Sequence, residues 1–213
     1  MNIMKRFSLF LTLLMMAALS LTFTSCEDDW YDDRPWYDRY DDVDDAEDLA
    51  EMLNGTWSGT IINEYTNDQG VRQQTKCNAN FTFVQYHSDA ISGRGYETDY
   101  DGSGNSQTLE FKWSVDERTG DIYVEYSSGY RFILDASSNS KYSGFSLDNS
   151  RFNGVMEGMN NDEYIFFDLY RVRGNNAPHK LNKSADSTST VRFGKGEGKQ
   201  FEASDVPVML RKR

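Results

Sequence analysis

The stretch Asp99-Tyr100-Asp101-Gly102-Ser103-Gly104-Asn105-Ser106-Gln107-Thr108-Leu109-Glu110 carries the most suggestive spacing of reactive groups in this 213-residue chain. Oxygen-bearing side chains at Asp99, Asp101, Ser103 and Asn105 are followed by a carboxylate at Glu110. Alternating oxygens closed by a clamping carboxylate suit a hard cation, and Gly104 permits the sharp turn that such a loop needs. These five residues define a candidate weak calcium site. The competing reading is a polar hairpin loop with Gly-Ser-Gly at its tip, which needs no metal.

Other chemistry is sparsely supplied. The spacing fits the loop pattern of EF hands, yet those loops join helices and this one lies between strand-like runs. The two histidines, His87 and His179, have no partners at metal-ligand spacing, so a catalytic zinc site is not expected. There is no Gly-x-Ser-x-Gly elbow to anchor a hydrolase triad. Gly194-Lys195-Gly196-Glu197-Gly198-Lys199 lacks the Ser or Thr of a phosphate loop. With no catalytic constellation, the expectation is a non-enzyme, and no cofactor is expected beyond weakly held calcium. The net charge of −12 argues against nucleic acid as a partner.

The second reactive group is Cys26. It follows a positive start at Lys5-Arg6, an apolar run from Phe7 to Leu21, and the small residues of Thr24-Ser25. This is the pattern of a secretory signal. It resembles bacterial lipoprotein leaders, which implies that residues 1–25 are removed. Cys26 would then carry fatty-acyl chains of the palmitate type. A stable anchor takes two or more such chains. Glu27, Asp28 and Asp29 resemble the surface-export signal of envelope lipoproteins in the Bacteroidetes group. That resemblance implies an outer-membrane protein facing outwards, with the membrane as its partner through the lipid on Cys26. With Cys26 acylated, Cys77 cannot form a disulfide within the chain, and it reads as a small buried hydrophobe.

The elements that must position any site follow. Residues 26–45 are an acidic tether whose like charges repel and keep it extended. Asp44 to Leu53 reads as a short helix, with Ala46, Leu49, Ala50 and Leu53 on one stripe and Asn54-Gly55 as its stop. From Thr56 to Val172 the pattern has period two, as in Phe111, Trp113 and Val115 or Ile165, Phe167 and Leu169. Short turns such as Asp116–Gly120 and Ser127-Ser128-Gly129 make neighbouring strands antiparallel partners. The fold class is therefore all-β, an antiparallel up-and-down barrel of about eight strands, which leaves no exposed edge. The barrel is placed at residues 46–173. Residues 174–213 carry eight basic against four acidic side chains and read as a mostly disordered tail. Within it, Val206, Val208 and Leu210 could add an edge strand.

Gly55-Thr56-Trp57 directly after the short helix resembles the Gly-x-Trp opening of the lipocalins and their calycin-type relatives. That resemblance implies that Gly55, Trp57 and Arg171 close the barrel, with the arginine stacked on the indole. It also implies a small apolar or aromatic ligand inside. Phe83, Phe111, Trp113, Tyr126, Phe132 and Phe167 are the candidate lining, and Tyr96 is placed on the same inward face. The alternative is a solid barrel serving as a structural or protein-interaction subunit beside an envelope partner.

Overall fold

The computed structural model describes residues 43–172, 191–196 and 206–210. Helix α1 spans Val43–Leu53 and buries Ala46, Leu49, Ala50, Met52 and Leu53. The strands are β1 (Gly55–Thr66), β2 (Arg72–Gln85), β3 (Ser92–Tyr100), β4 (Ser106–Val115), β5 (Ile122–Tyr126), β6 (Arg131–Leu134), β7 (Gly144–Leu147), β8 (Arg151–Gly158) and β9 (Glu163–Arg171). The helix is tied to the first strand by Trp57, whose indole Nε1 donates to Leu53 O at 2.8 Å.

Consecutive strands pair antiparallel from β1 to β6 and from β7 to β9, β9 returns to β1, and β6 pairs with β8, so the ladder closes. β6 and β7 both run antiparallel to β8, β6 along Glu157–Gly158 and β7 along Phe152–Val155. They are two halves of one interrupted stave. Nine strands thus make eight staves, the size at which side chains fill the interior or leave room for one small ligand.

Alternation sorts the walls. Inward positions carry Trp57, Ile61, Phe81, Phe83, Phe111, Trp113, Val124, Phe132, Phe152 and Phe167, all buried in one core. Outward positions carry charge, including Arg94, Lys112 and Glu125, which suits a wall facing water. One outer patch differs. Ile62, Val155 and Phe166 form a second buried cluster, covered by Tyr142, Tyr164 and Val206.

The tail region contributes two placed segments. Phe193 exchanges hydrogen bonds with Leu147 at 2.9 and 3.0 Å, covering the side of β7 that no strand pairs. Gly194 has φ of +77°, and a Cβ there would sit 2.3 Å from Phe145 O, so the glycine lets the chain lie directly on β7. Residues 206–210 take the part of the β2 edge beyond the end of β3. Lys76 N donates to Pro207 O at 2.8 Å, and Met209 N donates to Lys76 O at 2.9 Å. The late segment therefore forms a single parallel bridge to β2. The rest of the tail, the leader and most of the tether lie outside the described residues.

The β7–β8 turn supplies a pH-dependent contribution. The Asp148 carboxylate accepts from Ser150 N at 2.7 Å, Ser150 Oγ at 2.8 Å and Arg151 N at 2.9 Å. Burial alone disfavours its ionised form, but these hydrogen bonds and nearby Arg192 hold the carboxyl below its usual range. A depressed folded pKa stabilises above the unfolded value, about 3.9, and that stability is lost as pH falls through the folded value. Asp148→Asn is therefore expected to be less stable than the native chain at neutral pH. The gap should narrow below about pH 4 in denaturant melts run across the acid range.

Candidate functional site at the polar end of the barrel

The two ends of the barrel are built from different side chains. At the helix end, Arg171 faces Trp57 in register, with its guanidinium carbon 4.1 Å from the indole centroid. Its nitrogens donate to Asn54 O at 2.9 Å, to Asn149 O at 3.1 Å and to Met52 O. Gly55 lies against the same guanidinium, since a Cβ there would be 2.9 Å from Arg171 Nη1. Gly55, Trp57 and Arg171 thus come together as one plug joining helix, first strand and last strand.

The aromatics expected to line a ligand form a continuous packed stack. Phe83 lies 5.2 Å from Phe111 and 5.9 Å from Trp113 between ring centroids. Tyr126 lies 5.5 Å from Phe111 and 5.8 Å from Phe132. Phe167 lies 4.6 Å from Phe152. Phe111 and Trp113 fit because their β3 partners are Gly95 and Gly93. A Cβ at Gly95 would fall 2.2 Å from the Phe111 ring, and one at Gly93 would fall 2.7 Å from the Trp113 indole. The rings rest on bare backbone and fill the centre of the barrel.

Toward the other end the inward side chains become smaller and polar. Ala79 and Cys77 follow Phe81 on β2, then Thr75; Asn63 follows Ile61 on β1. Glu97 and Asp99 occupy the inward positions of β3 and are fully buried, at 0 % exposure. Glu163 starts β9 on the inward row. Tyr126 Oη donates to Glu97 Oε2, and Gln107 Nε2 donates to Asp99 Oδ2 at 3.0 Å. Asn63 and Thr75 face each other across β1 and β2 and are 3 % and 8 % exposed. Asn63 Oδ1 and Thr75 Oγ1 make no hydrogen bond. Buried polar atoms are ordinarily satisfied, so two neighbouring exceptions mark this end as a candidate site.

Tyr126→Phe removes the donor that Glu97 uses across the barrel. The expected loss is about 0.5–3 kcal/mol of unfolding free energy, the range that spans hydrogen bonds to neutral and to charged groups, read from urea melts.

This constellation differs from the one expected. Asp99 was expected as the first ligand of a calcium loop, but its strand turns it into the barrel. Glu110, on the outward row of β4, is exposed on the opposite face of the wall. Asp101 is engaged by its own turn, accepting from Ser103 N at 2.8 Å, Asn105 N at 2.9 Å and Asn105 Nδ2 at 2.7 Å. The Asn105 side chain leads in holding the Asp101 carboxyl below its usual range. Asp99, Asp101, Ser103, Asn105 and Glu110 therefore do not converge on one point. Among the described residues no group of three His, Cys, Asp or Glu side chains is placed to hold a metal ion. Tyr96 is likewise corrected: it points outward and is 37 % exposed. Cys26, Glu27, Asp28 and Asp29 lie outside the described residues. Asn63, Thr75 and Glu163 went unnoticed in the sequence, although polar residues in the inward phase of a strand are the signal that would have marked them.

An outer groove of about 370 Å³ is lined by Tyr86, Ser92, Lys112, Tyr123, Arg131 and Met159 among others.

No family model and no curated protein matches the chain. Among solved structures, it is similar to a de novo designed fluorescence-activating β-barrel, at 12 % identity and a TM-score of 0.35, covering 59 % of this chain and 98 % of that one. It is also similar to a redesigned β-barrel, at 16 % identity and a TM-score of 0.36, covering 59 % of this chain and 96 % of the other. The class is set by the strand ladder itself: a closed, eight-stave, antiparallel up-and-down barrel with a short helix leading into its first strand.

Proposed function

We propose that this protein is a lipid-anchored envelope protein whose lipocalin-like barrel binds a small molecule at its polar end. The observation that carries the binding role is the pair of buried, unbonded acceptors, Asn63 Oδ1 and Thr75 Oγ1, where the inward side chains shrink. Pockets that bind small molecules combine an apolar body with a few convergent polar groups. Here the aromatic stack provides the floor and the polar ring provides orientation. The ligand has an apolar or aromatic body, short enough to sit above a filled core.

The anchor is supported by the leader and by Cys26. Outward presentation is supported by Glu27, Asp28 and Asp29. In a bacterial host with lipoprotein export, Cys26→Ser is expected to move the protein from the membrane to the soluble fraction. Full retention in membranes would overturn the anchor.

The binding role is tested by amide NMR of the mature chain against small aromatic and aliphatic molecules. Shifts gathered at Asn63, Thr75 and Asp99 are expected. If no compound moves them, the binding role fails. The second reading, an interaction subunit beside an envelope protein, is favoured by the outer groove, where Tyr86 and Met159 are exposed. Shifts confined to Tyr86, Tyr123 and Met159 on adding envelope extract would support that reading instead.

A further inference from the structure

We infer that the group recognised at the polar end is a primary ammonium, so that the ligand class is small organic amines with an aromatic or aliphatic body. This rests on the proposed binding role and specifies its chemistry.

The protein presents acceptors there. Two donors of the ring are already committed, Tyr126 Oη to Glu97 and Gln107 Nε2 to Asp99. Asn63 Oδ1 and Thr75 Oγ1, which make no hydrogen bond, are oxygens on adjacent strands; the amide oxygen only accepts and the hydroxyl is able to accept. An ammonium is all donor, with three N–H groups and no acceptor. A carboxylate or phosphate ligand would instead meet Glu97, Asp99 and Glu163 on the same inward rows. Those carboxyl oxygens offer an anion acceptors where it needs donors, so anions are disfavoured.

Geometry separates an amine from a metal ion. Metal binding needs several anionic ligands converging at short range, and the described residues gather no such group. An ammonium is served by two or three well-placed oxygens. The body of the ligand has a surface to rest on. Glu97 pairs across the ladders with Phe81 and Leu109, and Phe81 lies 6.2 Å from Phe111, so rings adjoin the carboxylates. A cation near aromatic faces is further favoured.

The test uses the mature chain and three matched pairs: 2-phenylethylammonium with 2-phenylethanol, hexylammonium with hexanol, and 1,4-diaminobutane with 1,4-butanediol. Calcium chloride is a fourth addition. Amide shifts at Asn63 and Thr75 are followed by NMR. At least one amine is expected to bind about tenfold or more tighter than its alcohol, since charge-assisted hydrogen bonds are roughly twice as strong as neutral ones. Thr75→Val, nearly the same shape without the acceptor, should weaken that amine several-fold. Glu163→Gln should also weaken it, while the alcohol's affinity stays unchanged. Equal binding of amine and alcohol would overturn the ammonium assignment and leave the binding role standing. Calcium moving these amides while the amines do not would overturn it in favour of a metal. If no member of any pair moves them, the binding role falls as well.

Discussion

Gly95→Ala is expected to cost the barrel about 3 kcal/mol or more, at the upper edge of the range for overpacking a core. The added methyl carbon would fall 2.2 and 2.3 Å from Phe111 ring atoms and 2.6 Å from Thr82 O. Neither neighbour yields readily. Thr82 O belongs to the β2 ladder, and Phe111 is held by Phe81, Phe83 and Tyr126. Domains of this size are stable by only about 5–15 kcal/mol, so the loss is a large fraction of the whole. Phe111→Ala alone should cost about 3–5 kcal/mol through the cavity it leaves. In the double variant the ring clash disappears and the backbone contact stays. Urea melts of the four chains should therefore show a double-variant loss smaller than the sum of the singles, yet larger than that of Phe111→Ala alone. An additive result would mean that the ring does not rest on β3.

Arg171→Ala is expected to loosen the other end of the barrel by about 2–4 kcal/mol. Its guanidinium serves the carbonyls of Met52, Asn54 and Asn149 together. A buried acceptor left unsatisfied costs about 1–3 kcal/mol. Loss of the cation over Trp57 adds about 0.5–2 kcal/mol, by the range for cation–π contacts. Arg171→Lys should recover less than half, because a lysine ammonium lacks the fork that reaches two carbonyls and the flat face that stacks on an indole. Melts followed by far-UV circular dichroism and by tryptophan fluorescence check both variants. Full recovery by lysine would reduce the role of Arg171 to its charge.

The fold was legible because its signals are local. Most hairpins are written in two alternating runs and a short turn, and the helix stop at Asn54-Gly55 stands directly before β1. The Trp57–Arg171 pair was expected from the Gly-x-Trp resemblance, with Arg171 in phase with Ile165, Phe167 and Leu169 on the last strand. The interior was less legible, and β3 shows why. Its inward row is Gly93, Gly95, Glu97 and Asp99, with nothing apolar in it. A rule that puts aromatics inside therefore assigns Tyr96 to the wrong face. The physical cause lies on another strand, since Phe111 and Trp113 of β4 already occupy the space. The same phase error underlies the calcium expectation. Spacing along the chain ignores that a strand sends Asp99 and Glu110 to opposite sides of one wall. The split stave of β6 and β7 was also out of reach, because two short strands in sequence do not announce that they share one place in the ring.

The strip of wall along β7 has a consequence in time. Its free side is matched by residues 191–196, well beyond β9 in the chain, with Phe193 buried against it. Until that segment has been synthesised, β7 presents an unpaired edge, the kind of surface on which strands of separate chains join. A nascent chain that pauses after β9 is thus a ring with one seam open. The seam is sealed late, by the part of the sequence that least resembles a strand, and Gly194 and Gly196 are the residues small enough to do it.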